Sequence, residues 1–469
     1  MKTSVVILAA GLGTRMRSKR AKVLHRAAGL ALVEHVVGAA RSLTAPENMI
    51  VVTGYQAAEV EALLQPAGVK FVRQEPPRGT GHALECCRAS LERPEGLLAE
   101  ELLMVLYGDT PLLSAATLER LREEQAHSGA AATLITTALD DPSGYGRVIV
   151  DAHGPVEAIV EDIIEDRDCD AEQRSIGIIN SGIYCFRADL LWHHLGEVQP
   201  NPVSGEYYLT DMARILTAHG HAVRALHIED PAELLGINTR VELADADRIL
   251  RQRKTRELML SGVTIERPET VCIDASVSAG ADTVIEPFTR LLGRTRIGED
   301  CRIGAGAILE NTELADRVII RPYTVIADSR IDAGAQIGPF ARLRMGVHAE
   351  ADTRIGNFVE LKNTRLGAGS KSQHLAYLGD AEIGARSNIG AGTITCNYDG
   401  ARKHGTTIGD GAFVGSNSTL VAPVEIGADS YIAAGSVITE EVPPGALALG
   451  RGRQVNKPGW VAKRRKKKS

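Results

Sequence analysis

Between Ile265 and Ile438 aliphatic residues return at every sixth position. The last stretch reads Ile408, Val414, Leu420, Ile426, Ile432 and Ile438. Earlier runs keep the same step through Leu291, Ile297, Ile303 and Leu309, then through Val325, Ile331, Ile337 and Leu343. The first run is Ile265, Val271, Val277, and glycine often follows the aliphatic residue, as at Gly298, Gly338 and Gly427. A period of six suits neither a helix nor an alternating strand. It predicts a β-solenoid with one inward aliphatic side chain per hexad and small residues at its corners. One coil cannot bury its own stack, so successive coils must share a core. The phase slips twice: Leu361 and Ile383 stand 22 residues apart, Thr395 and Ile408 13 apart. Read as insertions, these slips predict loops on a binding face, carrying Lys362, His374, Tyr377, Asn397, Tyr398 and Lys403.

The first half of the chain alternates instead. Val5–Leu8, Met49–Val52 and Leu102–Leu106 read as buried strands; Leu32–Leu43, Gln56–Leu64, His82–Leu91 and Leu118–Gln125 read as helices. Such alternation predicts a mostly parallel α/β sheet with helices on both faces. Ligands of these sheets bind beyond the carboxyl ends of the strands, which draws attention to the loop after Leu8. From Arg240 to Leu260 the pattern turns helical and charged. The chain therefore divides into an α/β domain over residues 1–240, a connecting helix over 241–261 and a solenoid over 262–469.

Composition changes this picture little. Aromatics are only 4% and glycines number 47, as a solenoid with tight corners requires. A net charge of −6 argues against a dedicated nucleic-acid binder, and the basic run Lys463–Lys468 reads as a solvated end. Seven cysteines without metal-site spacing fit free thiols in a reducing cytoplasm. No apolar run approaches the ~18 residues of a membrane span.

Three stretches carry chemistry. Leu8-Ala9-Ala10-Gly11-Leu12-Gly13-Thr14-Arg15-Met16 is a glycine-rich turn leaving a strand, where backbone N–H groups approach phosphate and Arg15 and Lys22 add charge. It lacks the third glycine of a dinucleotide fingerprint and the Gly-Lys-Ser/Thr of a P-loop. Gly79-Thr80-Gly81-His82 is a second small-residue turn opening a helix. Tyr107-Gly108-Asp109 ends a buried strand, and its carboxylate suits Mg²⁺, although a turn aspartate standing alone is more often a helix cap.

Together with Lys22-Val23-Leu24-His25, these stretches resemble the nucleotide-sugar pyrophosphorylases. The solenoid carries His374-Leu375-Ala376-Tyr377-Leu378-Gly379-Asp380 and Gly392-Thr393-Ile394-Thr395-Cys396-Asn397-Tyr398-Asp399-Gly400. With both sets the chain, from about its second residue to Trp460, resembles the bacterial family that joins an N-acetylglucosamine-1-phosphate uridyltransferase to a glucosamine-1-phosphate acetyltransferase. The resemblance implies a nucleotide-diphospho-sugar transferase fold with a Rossmann-like mixed sheet, followed by a left-handed parallel β-helix. It implies synthesis of UDP-N-acetylglucosamine, a peptidoglycan and lipopolysaccharide precursor, from UTP, acetyl-CoA and sugar-1-phosphates, with Mg²⁺, in a cytoplasmic homotrimer.

The resemblance also implies roles for residues. Leu8, Ala9, Ala10, Gly11, Lys22, Gln74, Gly79, Thr80, Tyr107, Gly108 and Asp109 would bind uridine nucleotide. Gly146, Asn180 and Glu161 would meet the sugar, with Glu165 as the alternative to Glu161. Asp109 and Asn238 would hold Mg²⁺, and Arg15 and Lys22 would assist uridylyl transfer. His374 would be the acetyl-transfer base, oriented by Glu360. Arg344, Lys362, Tyr377 and Asn388 would bind glucosamine-1-phosphate; Ala391, Asn397, Tyr398, Ser416, Ala434 and Arg451 would bind acetyl-CoA. Three positions depart from the family pattern: Pro77 replaces a glutamine near uracil, Ala21 a proline, and Met345 a proline after Arg344. Apolar residues outside the inward stack, such as Ile394, Phe413, Val421 and Val437, call for a covering surface, which a trimer around the solenoid provides. Two competing readings remain. One is a transferase for another sugar-1-phosphate with a purely regulatory solenoid; the other is a non-enzymatic interaction subunit reusing both folds.

Overall fold

The unbroken apolar run near the start forms strand β1, Thr3–Leu8. In the computed structural model Val5 and Ile7 enter one buried cluster and Val6 and Leu8 another. A strand covered on both faces has no polar side to show, which explains the missing alternation. Residues 2–91, 101–151 and 159–466 are described, so Lys467 and Lys468 of the basic run lie outside them. Contacts divide the chain into two units, Met1–Leu250 and Arg251–Ser469.

The first unit continues with β2 (Met49–Thr53), β3 (Lys70–Arg73), β4 (Leu102–Tyr107), β5 (Ala132–Ala138), β6 (Arg147–Val150), β7 (Val160–Ile164), β8 (Ile178–Arg187) and β9 (Val223–His227). Their order across the sheet is β9-β5-β8-β4-β1-β2-β3. The core β4-β1-β2-β3 is parallel. β8 runs antiparallel to β4 and β5, and β6 and β7 form a ribbon extending from it. Leu8 pairs with Tyr107 and with Val52, so the loops leaving β1, β2 and β4 emerge side by side. The helix expected at His82–Leu91 is two pieces, Thr80–Glu85 and Arg88–Leu91. The charged helix spans Arg240–Leu260. No helix among the described residues is long and apolar enough to cross a membrane.

The second unit is a left-handed parallel β-helix whose short strands stack into three sheets of 11, 10 and 9 strands. They form a first, second and third face, visited in turn, as in Arg354–Asn357, Glu360–Lys362 and Arg365–Leu366. The inward stack is richer than one residue per hexad. Ile285, Leu291 and Ile303 are fully buried, and so are Thr283, Thr289 and Thr295, each a small residue two places before an inward aliphatic one. Their hydroxyls remain satisfied by bonding to carbonyls, as Thr283 Oγ1 does to Gly298 O at 2.9 Å.

This second inward position corrects part of the hexad reading. Val271 and Val277 occupy it, while Ile273 and Ala279 align with Leu291 and Ile297. Val325 points outward with 38% exposure and Ile326 is the buried partner of Leu343. The slip between Leu361 and Ile383 is likewise no loop. Leu366, Ser372 and Leu378 continue the stack, and two sides are simply one residue shorter. Only the second slip emerges, as a hairpin in which Tyr398 bridges Lys403.

Leu343→Ala should therefore lower solenoid stability by about 2–5 kcal/mol in urea unfolding, whereas Val325→Ala should cost a small fraction of that. Equal losses would place Val325 inside the stack.

Candidate active sites

The loops at the carboxyl ends of β1, β3 and β4 enclose a cavity of about 460 Å³. Leu8, Ala9, Ala10 and Gly11 form one wall and Gln74, Gly79 and Thr80 another; Tyr107 and Asp109 form the floor. Gly13 holds φ at +64°, and a Cβ there would fall 2.5 Å from Lys22 Cβ, so glycine lets the turn close onto the lysine. Gly79 holds φ at +97° against Tyr207 O, where a Cβ would fall at 2.5 Å. The Gln74 amide donates to Gly79 O at 2.9 Å and ties this turn to the end of β3. Pro77 also lines the cavity. Gly108 does not: its N–H donates to Leu8 O at 2.9 Å, beneath the lining.

At one end of the cavity the Lys22 ammonium pairs with the Asp109 carboxylate and donates to Asn238 Oδ1 at 3.0 Å. Arg15 sits outside the lining but donates to the same Asn238 oxygen at 2.9 Å. Asn238 is itself held: Glu242 Oε2 accepts from the N–H groups of Asn238 and Thr239 at 2.5 and 2.9 Å. Thr239 Oγ1 in turn accepts from Glu242 N at 3.2 Å. This is a capping box over Thr239-Arg240-Val241-Glu242, a spacing legible in the sequence but not used there.

The other end is built from the β6–β7 ribbon and β8. Gly146 and Asn180 line it, and Asn180 Nδ2 donates to the Tyr184 hydroxyl at 2.7 Å. Glu161 is exposed and absent from the lining, because its side chain projects from the outer side of β7. Glu165, just past the strand end, lines the cavity and accepts from Thr210 Oγ1 at 3.1 Å. Burial pushes the Glu165 carboxyl above the ordinary carboxylate range. Burial likewise raises the Tyr107 phenol, with Glu165 and Asp109 adding to the effect, so the phenol is a neutral hydrogen-bonding group. Tyr145, Glu206 and Tyr208 also line the cavity; Tyr145 neighbours Gly146, and no motif singles out Glu206 or Tyr208 in sequence.

In the solenoid, register assembles the second constellation. Asn357, His374, Ala391, Ser416 and Ala434 each stand two residues past an inward position of the first face. They occupy one corner on successive coils, joined by Gly392 N to His374 O at 3.3 Å and Gly435 N to Ser416 O at 2.8 Å. Arg451 continues the line through a 2.6 Å bond to Ala434 O. His374 is exposed at a strand end rather than in an inserted loop. Its Nδ1 lies 3.0 Å from Asn357 Oδ1. No bond joins it to Glu360 among the described residues; Glu360 Oε1 accepts from the Arg344 guanidinium at 2.9 and 2.7 Å.

Arg344 and Lys362 stack at the end of the second face, with Tyr377 opposite Glu360 one coil on. Beyond them lies the next corner. There Asp380 accepts from Asn363 at 2.8 Å and Asn397 at 2.5 Å, and stands 3.7 Å from Lys362 Nζ. The Lys403 ammonium lies against Lys362, whose contact and charge hold its pKa below the ordinary lysine value. Tyr398 is exposed, and its hydroxyl donates to Gly400 O at 2.6 Å within the hairpin. Asn388 opens the first face, at the far end from Ala391. Within one chain the predicted acetyl-side residues thus lie on separate corners rather than in one pocket.

Comparison with known proteins follows the same division. Residues 5–165 match the MobA-like NTP transferase domain. Residues 294–321 match the hexapeptide repeat of succinyl-transferase, and 405–440 match the bacterial transferase hexapeptide (six repeats). Over 463 residues the chain is 54% identical to the "Bifunctional protein GlmU" of Solibacter usitatus (strain Ellin6076), covering 99% of this chain and 97% of that one. It is 47% identical to the protein of the same name from Koribacter versatilis (strain Ellin345), covering 99% and 97%. Identity to that of Trichlorobacter lovleyi is 46%, covering 99% of each.

Asp380 supplies a pH test of the second corner. Burial alone would raise its pKa, but bonds from Asn363 and Asn397 and the charges of Lys362 and Lys403 outweigh it and hold the carboxyl low. Its contribution to stability is then full above the ordinary aspartate pKa of about 3.9 and is lost as pH falls through the depressed value. Asp380→Asn should be less stable than wild type at pH 7 in urea unfolding. The gap should close in acid; a gap independent of pH would contradict the assignment.

Proposed function

This chain belongs to the family of bifunctional GlmU proteins, and on that premise we propose how its two sites divide the work. It is a bifunctional enzyme making UDP-N-acetylglucosamine, by acetyl transfer from acetyl-CoA to glucosamine-1-phosphate and uridylyl transfer from UTP to the product. One observation carries the division of labour: the nucleotide-side residues all fall in Met1–Leu250 and the acetyl-side residues all fall in Arg251–Ser469. We place the functional boundaries at residues 1–240, 241–261 and 262–469, with the division between the two units falling inside the connecting helix.

Uridylyl transfer takes place in the α/β cavity. A phosphate oxygen of N-acetylglucosamine-1-phosphate attacks the α-phosphorus of UTP in line. The bond to the oxygen bridging the α- and β-phosphorus breaks, and pyrophosphate leaves with the electron pair. No side chain acts as a nucleophile; position and charge do the catalysis. Lys22 and Arg15 offset the growing phosphate charge, the β1 turn presents its N–H groups, and Glu165 with Asn180 and Gly146 holds the sugar. The donor set also suits Mg²⁺. A carboxylate oxygen of Asp109 and the amide oxygen of Asn238 already converge on one cationic centre, the Lys22 ammonium, and hard oxygens are what Mg²⁺ selects. When bound, Mg²⁺ supplies charge neutralisation for the triphosphate and leaving pyrophosphate.

Acetyl transfer takes place on the solenoid. With its Nδ1–H donated to Asn357 Oδ1, His374 keeps Nε2 free as a proton acceptor. Nε2 takes a proton from the glucosamine amine as the nitrogen bonds to the thioester carbonyl carbon; the C–S bond then breaks with its electron pair on sulfur, and the imidazolium returns the proton so that CoA leaves as the thiol. Arg344, Lys362, Tyr377 and Asn388 hold the sugar phosphate, Arg344 being held in place by Glu360. Ala391, Ser416 and Ala434 leave a smooth corner for the pantetheine arm, with Arg451 at its phosphates. The separation of Asn397 and Tyr398 from that corner supports a site shared between chains. Ile394, Phe413, Val421 and Val437 are each at least a third exposed, which supports a homotrimer packed through the solenoid. We assign this assembly to the cytoplasm.

Asp109→Asn should abolish most uridylyl transfer and leave acetyl transfer intact. His374→Ala should do the reverse, with acetyl transfer reduced by roughly 10²–10⁴-fold. Parallel loss of both activities in a folded variant, read by separate assays of pyrophosphate and CoA release, would refute two independent sites.

A shared site predicts complementation. Co-expressed His374→Ala and Asn397→Ala chains should recover about a quarter of wild-type acetyl transfer, because each site draws one corner from each of two neighbours. Activity no higher than that of either variant alone would place both corners in one subunit's site.

A further inference from the structure

Outside the nucleotide cavity, the first unit gathers four of the chain's 13 histidines, His193, His194, His219 and His221, beside the carboxylates of Asp189 and Glu197. The helix Ala188–His194 ends on His193 and His194 and runs into the turn Leu195–Glu197. The helix Asp211–Ala218 ends just before His219, and His221 follows as the chain turns into β9. His194 Nδ1 lies 2.7 Å from Glu197 Oε1, and His219 Nε2 lies 2.9 Å from Glu197 Oε2. The His194 ring centroid is 4.3 Å from that of His219 and 5.6 Å from that of His221. The four imidazoles border a cavity of about 470 Å³. None of these residues takes part in the two reactions.

The chemistry of the cluster is that of a metal ligand set. One ligating atom each from His194, Glu197 and His219 lies within 4.8 Å of the other two. A tetrahedral ion with bonds of about 2.0–2.1 Å holds its ligands roughly 3.3 Å apart, so small ring movements suffice. His194 is only 4% exposed, which fixes one ligand in advance, and the other two reach it from outside. Two imidazoles and one carboxylate select borderline dications rather than Mg²⁺ or Ca²⁺.

We propose that His194, Glu197 and His219 form a binding site for a first-row transition-metal dication of the Zn²⁺ class, with an open position facing the cavity beside His221. The ion would tie the end of one helix to the turn that follows the other, as a structural clamp on this flank of the sheet.

The full chain, stripped with a chelator, is titrated with Zn²⁺ by calorimetry at pH 7.5 alongside His219→Ala, Glu197→Ala and, as a control, His127→Ala. Glu197 and His219 are 46% and 47% exposed, so their truncation spares the fold, which circular dichroism checks. Wild type and the control should retain one tight equivalent per chain, and the two site variants should bind at least tenfold more weakly. Co²⁺ added to wild type should give a visible d–d absorption band that both variants lack. Zn²⁺ affinity unchanged in the two site variants, or wild type without the tight equivalent and the Co²⁺ band, would overturn the proposal.

Discussion

Parallel backbone pairing between successive coils is the constraint on which the solenoid and its chemistry both depend. Once Ile337 pairs with Ile355 and Leu361 with Leu378, every corner residue is set above its counterpart one coil below. The same ladder that buries the aliphatic stack therefore aligns Asn357, His374, Ala391, Ser416 and Ala434. A line of proposed site residues at one corner costs no extra structure, because it follows from the packing of the core. The α/β unit reaches a comparable result by register across a sheet: Leu8 beside Tyr107 brings the loops after β1 and β4 to one cavity, which the loop after β3 completes.

The architecture was legible because both units advertise a period. Hexads mark the solenoid, and strand–helix alternation marks the sheet. What the sequence left unread were matters of phase. Val325 and Ile326 are neighbours of equal apolarity, and only pairing to Leu343 shows which one turns inward. The buried threonines escaped notice because a hydroxyl reads as polar until its bond to a carbonyl is seen. A slip between Leu361 and Ile383 reads as an insertion because two sides are one residue shorter and Ser372 stands at an inward place where an aliphatic residue was expected.

Site residues followed the same rule. Motif-borne groups such as Lys22, Asp109 and Asn238 converge, because each has a local frame: the end of β4 for Asp109, the Gly13 turn for Lys22 and the helix cap at Glu242 for Asn238. Residues chosen by counting from a motif fared differently. Glu161 and Glu165 differ by a step along one strand and past its end, and only Glu165 faces the cavity. Asn357 precedes His374 by a full coil, so no local pattern connects them, and Glu360 bonds Arg344. Local sequence conveys what a residue is, whereas register decides what it meets.

The short rungs of the solenoid also bear on how the chain reaches its structure. Most rungs join residues 17 or 18 apart, as in the pairs Ile337–Ile355 and Leu361–Leu378, and those that span the hairpin join residues 25 apart, as in Ile394–Thr419. The central pairing of the sheet, Leu8 with Tyr107, closes a loop of about a hundred residues. Closing that loop costs chain entropy before any contact rewards it, while the coils can grow one on another from any nucleus. The half that is made first on the ribosome is thus the half with the slower topology, and the repeats made afterwards can zip up without waiting for it.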